Sequence, residues 1–288
     1  TGNVNADPLF INPLPTPGGD YRLQSCSPVI NMGNNSLVPS GVTTDLDMNP
    51  RIAFSDVDMG AYEFQSEKQS FWKGVNFHWN DPQNWCGNTV PTAGTNVLIP
   101  NTATIFPTIE DAREVNKIKL ESGTSLTLTS AGQLTINNTY TNSGSNITNN
   151  GTWIMAGSAA SQTFPGTAAT VGAMNNLEIK NASGIAFDKS FSITGTLMPT
   201  TGNINVNNNI AVTLKSSATA TASVAAIQPA ASINYTGSGS FIVERFINTG
   251  LAIGQHVKTW QFLATPTTGQ TIYQSWQESG TAPAGYGT

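Results

Sequence analysis

The sequence predicts an all-β chain wound mainly as a β-solenoid, and three observations carry that expectation. Only 10% of its 288 residues are charged, against about 25% in an average soluble domain. Neutral polar residues replace them, with 37 Thr, 30 Asn and 27 Gly. That composition favours strands closed by Asn/Gly turns over helix. Short apolar-polar-apolar runs then recur through the middle of the chain: Ile118-Lys119-Leu120, Leu126-Thr127-Leu128, Leu134-Thr135-Ile136, Leu177-Glu178-Ile179, Phe191-Ser192-Ile193, Ile204-Asn205-Val206. A period of two puts one side chain inside and the next outside.

Many short strands with no helical pattern between them fit either a coiled solenoid or an antiparallel sandwich. Charge separates the two. Residues 139–250 hold seven charged side chains. Equivalent positions on successive coils lie about 4.8 Å apart, where like charges repel by about 1 kcal/mol even in water. Thr and Asn stack there as hydrogen-bonding ladders instead. A sandwich face has no such penalty and would carry more Lys and Glu. The expected form is therefore a solenoid of roughly six coils at about 20 residues each.

Four segments follow in chain order. Residues 1–65 contain seven of the 17 acids and turn dipeptides such as Asn12-Pro13 and Asn49-Pro50, which read as single strands between tight turns. Residues 66–114 open with a polar gap and continue with Phe71, Trp72, Phe77, Trp79 and Trp85, an aromatic-rich β junction or cap. Residues 115–245 are the solenoid. Residues 246–288, again aromatic, read as the start of a truncated β-module. The chain begins at Thr1 without Met, so an internal piece of a longer polypeptide is expected.

A net charge of −5 with no Lys/Arg cluster excludes a nucleic-acid footprint. No apolar run is long enough for a membrane-spanning helix, so no membrane insertion is expected. Cys26 and Cys86 cannot build a disulfide framework or a Cys-rich metal site. Each reads as a small buried hydrophobe, and a bridge between two modules is not expected.

Residues 7–64 carry an ordered string of motifs: Asp7-Pro8-Leu9-Phe10, Gly19-Asp20-Tyr21-Arg22-Leu23, Ser27-Pro28-Val29-Ile30-Asn31, Asp45-Leu46-Asp47-Met48-Asn49-Pro50-Arg51, and Val57-Asp58-Met59-Gly60-Ala61-Tyr62-Glu63. This string resembles the closing coils of the right-handed parallel β-helix in "choice-of-anchor" proteins, secreted mainly by Bacteroidota. Met48 and Met59 depart from it, standing where Gly and Ile or Val are usual. Residues 71–180, through Trp79, Trp85-Cys86-Gly87, Asn150-Gly151-Thr152 and Asn175-Asn176-Leu177-Glu178-Ile179, are similar more loosely to modules of very large surface proteins of the same bacteria. The tail around Val243-Glu244-Arg245-Phe246, Trp260 and Trp276 is similar to them too. The resemblance implies an extracellular or outer-surface address, export by the type IX secretion machinery, a cell-surface anchor, and an adhesin-like role toward glycans or neighbouring cells.

Two residue sets could carry chemistry. Asp45, Asp47, Asp56, Asp58 and Glu63 form an acidic cluster in which Asp45-x-Asp47-x-Asn49 mimics the start of a calcium loop. Pro50 stands where an EF-hand needs Gly, so only an irregular Ca²⁺ site remains; the same residues read equally as Asx-turn formers around Arg51. Trp72, Trp79 and Trp85 could stack sugar rings or close the open end of the solenoid. No catalytic set emerges. His78 and His256 sit in different modules, and no Gly-x-Ser-x-Gly elbow is present. Catalytic coils of a polysaccharide-degrading β-helix could instead lie upstream. The expected function is a non-enzymatic, adhesin-like structural spacer that needs no cofactor beyond that calcium ion. The alternatives are a non-catalytic part of such an enzyme, or a carbohydrate-binding module.

Overall fold

A computed structural model describes residues 3–246 except 16, 17, 159, 161, 167 and 168. Strands make up 39% of it, α-helix is absent among the described residues, and parallel coils stack into a β-solenoid. Each coil contributes a short strand to three successive faces. On the first face, Asn96–Ile99, Lys117–Leu120 and Tyr140–Asn142 pair in parallel. After a break the face continues through Gln162–Phe164, Ile185–Phe187, Gly202–Val206 and Ala231–Tyr235. From Lys117 onward the chain makes about five turns.

The second face runs through Ser125–Leu128, the first half of Asn146–Met155, the first half of Thr170–Ile179, Phe191–Ile193, Ala211–Leu214 and Ser240–Val243. The third runs through Ala112–Val115, Gln133–Ile136, the second halves of the same two long strands, Thr196–Pro199 and Ser223–Val224. The break on the first face is closed by one side chain. Gln162 accepts the Tyr140 N–H at 2.9 Å and donates to the Asn138 carbonyl, replacing two ladder bonds with an amide.

The alternating triplets behave as their period requires. In Ser125–Leu128 and Gln133–Ile136 the apolar residues are buried and the polar ones are not. One core runs without interruption from Trp72 to Ala222, with Trp153, Phe164, Phe187 and Ile204 on its axis. Ladder charges meet neutral partners: Glu114 pairs with Thr135, Lys119 with Thr141, and Glu178 with Ile154 and Met198. The charge argument for a solenoid rests on that pattern.

The boundary at residue 114 is not a break. Ser70–Phe71 pairs in parallel with Asn96–Ile99, which pairs with Lys117–Leu120. The aromatic segment thus forms the first rungs of the same solenoid, its alternation hidden by long turns between strands.

In residues 3–65, where terminal coils of a parallel β-helix were expected, the described strands pair antiparallel, Phe10–Asn12 with Asp20–Leu23. A one-turn 3₁₀ helix follows at Asn35–Leu37. The segment has its own small core of Leu23, Val29 and Ile30. Rich in Asp, Asn and Pro, it satisfies much of its backbone with side-chain carboxylates instead of a ladder.

Contrary to the reading of two separate buried thiols, Cys26 and Cys86 form a disulfide, Cα to Cα 5.8 Å. Cys26 lies in a turn and Cys86 opens the one-turn 3₁₀ helix Cys86–Asn88, where the segment 3–65 rests on the first rungs. Residues 247–288 of the expected C-terminal module, with His256, Trp260 and Trp276, lie outside the described residues.

Candidate functional site

The acidic residues act as local braces. Asp45 turns one oxygen to the N–H groups of Asp47 and Asn49 and the other to Glu63 N–H, all at 2.9 Å. Asp58 accepts from Asn31 and Phe64, both at 2.7 Å. Glu63, its side chain fully buried, holds Arg51 at 2.8 Å and accepts from Asp58 N–H at 3.0 Å. Asp47 takes a two-pronged grip from Arg22, while Asp56 stands apart.

Of the five residues read as a calcium set, Asp45, Asp47, Asp58 and Glu63 are engaged by the chain's own donors, and Asp56 is not among them. No three His, Cys, Asp or Glu side chains converge among the described residues. Burial pushes the Asp45 carboxyl up, but three backbone donors outweigh it and hold it below its ordinary 3.8. Met48, in the turn that Asp45 braces, takes φ +66°, the left-handed region that glycine enters freely.

The three tryptophans, read as sugar-stacking or end-closing residues, lie inside the core. Trp72, Trp79 and Trp85 are each 1% exposed or less, so no ring face is open to a sugar. Trp85 packs edge-on against Trp72 and Trp79, with centroids 5.0 and 4.7 Å apart. Trp72 Nε1 donates to the Ile105 carbonyl and Trp85 Nε1 to the Trp79 carbonyl, both at 2.7 Å. These contacts fill the N-terminal end of the solenoid core. His78 pairs with Glu110 at 2.8 Å, both half-exposed, and joins no nucleophile.

Sequence reasoning missed a cleft of about 1060 Å³ between residues 3–65 and the first rungs. The disulfide lies in its wall, with Leu9, Asn31, Lys68, Gln69, Lys73 and Asn88 around it. Its only sequence signals are the polar gap at 66–70 and scattered amides, which carry no periodicity.

Residues 71–163 match a family described as a domain of unknown function (DUF8693). The matched stretch begins in the first rung, includes the tryptophan cluster and crosses residue 114 without interruption, in step with the continuous ladder. No curated protein and no solved structure matches the chain.

Proposed function

We propose that this chain is a non-enzymatic, stiff spacer of a secreted or cell-surface adhesin-like protein. The observation that carries the reading is the unbroken core from Trp72 to Ala222 under an 11-stranded parallel sheet that covers the second and third faces. Each coil is locked to the next by backbone bonds and shared apolar contacts, so the coils resist bending and shear together. The outer positions, mostly Thr, Asn and Ser, give a surface that stacks without charge repulsion.

The disulfide supports an address outside the reducing cytosol, because such bonds persist in oxidising compartments. Export through the type IX machinery, a surface anchor and contact with neighbouring cells remain part of the proposal on the strength of the sequence resemblance.

Pulling the chain from its two ends in an optical trap tests the spacer. Abrupt unfolding of the whole 70–243 ladder is expected. Gradual extension coil by coil at low force contradicts stiffness, and release of new reducing ends from a polysaccharide panel contradicts the non-enzymatic reading.

A further inference from the structure

Backbone strain concentrates in one place. Among the described residues five non-glycine residues have positive φ: Leu9 (51°), Asn31 (56°), Met48 (66°), Asn88 (51°) and Asn209 (62°). Leu9, Asn31 and Asn88 all line the cleft of about 1060 Å³. Asn enters that region readily, whereas for a leucine it is costly and persists where the surroundings over-determine it. Leu9 is the sharpest case, because a leucine gains nothing from the left-handed region.

The polar groups of the cleft are free in a patterned way. Asn31 and Gln69 make no side-chain hydrogen bond among the described residues, while Asn88 uses only its carbonyl oxygen, taken by Lys73 Nζ at 2.8 Å. The two acids of the cleft are engaged: Asp7 caps Leu9 N–H at 2.9 Å, and Glu67 is turned away onto Lys117 at 2.6 Å. Lys68 and Lys73 form no ion pair among the described residues. Partial burial holds the Lys68 ammonium below its ordinary value, and the nearby Asp58 carboxylate offsets part of that. Phe54 and Phe71 add apolar ring surface.

Part of the backbone around the cleft is already engaged. Gln69 N–H donates to the Ser25 carbonyl, Gln24 N–H to that of Leu9, and Trp72 N–H to that of Leu98, so these three donors are not available to an added peptide strand. What the cleft offers is side-chain amides, aromatic faces and two ammonium groups with no ion pair among the described residues, that of Lys73 resting on Asn88. Those groups suit hydroxyls, a carboxylate and the C–H face of a sugar ring.

We infer that this cleft binds an acidic oligosaccharide, with Lys68 and Lys73 meeting the sugar carboxylate and Asn31, Gln69 and Asn88 reading its hydroxyls. The site is separate from the buried tryptophans and stands whether or not the solenoid is a spacer.

The test uses the full chain on an array of uronate- and sialate-containing oligosaccharides with neutral cellohexaose beside them, followed by calorimetry on the best binder. Lys68→Gln is expected to weaken binding about tenfold. Asn31→Gly and Asn88→Gly keep the positive φ while deleting an amide, so each is expected to weaken binding several-fold without lowering Tm. Added salt should weaken acidic ligands only. Silence across all acidic glycans at millimolar concentration overturns the proposal. Equal binding of cellohexaose, or affinity unchanged in Lys68→Gln and Asn31→Gly, overturns it too, as does capture of peptides from a random library in place of glycans.

Discussion

The carbonyl oxygen of Gly132 lies 1.9 Å from the point where a Cβ on Gly151 would sit, and the same oxygen accepts the Thr152 N–H at 2.9 Å. Two successive coils thus touch backbone to backbone at this corner. Gly151→Ala must push the ladder apart, since the obstacle is main chain. A loss of about 2–3 kcal/mol is expected, read as a lower urea midpoint with an unchanged slope. A midpoint equal to that of the parent would show that the corner can yield.

The disulfide closes a loop across a sequence separation of 60. In the chain-entropy view a link of that span contributes about 4 kcal/mol by restricting the unfolded chain, and it ties residues 3–65 to the first rungs. Replacing both cysteines by serine should speed amide exchange in residues 3–65 and leave the rungs from 117 to 243 protected. Uniform loss of protection along the chain would contradict this division.

Thr127 and Thr148 are register partners on the second face, both pointing outward. One lysine at either position should be tolerated. Two together should cost about 1 kcal/mol more than the sum of the singles, by stacked repulsion. High salt should recover most of it, because the pair is exposed. A double mutant that is additive at low salt would remove electrostatics as the reason for the uncharged faces.

Met48, 77% exposed, holds a positive φ with no packing reward. Met48→Gly relieves that strain at the cost of extra freedom in the unfolded chain. The net expected gain is about 0.5–1 kcal/mol, measured as a rise in Tm for the unfolding of residues 3–65.

Asp45 gives a pH signature. Its folded-state pKa is depressed below 3.8, so its contribution is complete above that value and is lost as pH falls through the lowered one. Residues 3–65 should loosen only in strong acid and not near neutrality, as followed by amide exchange. Asp45→Asn should abolish that acid step. It also leaves one buried N–H without an acceptor, costing about 1–3 kcal/mol at all pH values. Loosening of the parent already near pH 6 would point to a different group.

What could be read from the chain divides along physical lines. Leu126-Thr127-Leu128 and Ile204-Asn205-Val206 announce themselves because a period of two survives any tertiary context. The scarcity of charge, read as a stacking constraint, pointed to coils over facing sheets. Cys26 and Cys86 gave no comparable signal, since their meeting depends on how an irregular segment lies against the first rung. Ser70–Phe71 was hidden as a rung because its turn to the next strand carries the tryptophans. Sequence shows the carboxylates of Asp45, Asp58 and Glu63 but not the N–H groups aimed at them. The cleft was invisible for a related reason: Leu9, Asn31 and Asn88 are far apart in sequence, and nothing in a residue name reveals its φ.

The unbroken stack of coils has an evolutionary corollary. Because a rung meets only the one below and the one above, whole units of roughly 20 residues can be duplicated or deleted while the remaining joints stay as they were. Reach then becomes a quantity that gene-level copying can adjust in discrete steps, like adding sections to a mast, without redesigning what stands at either end.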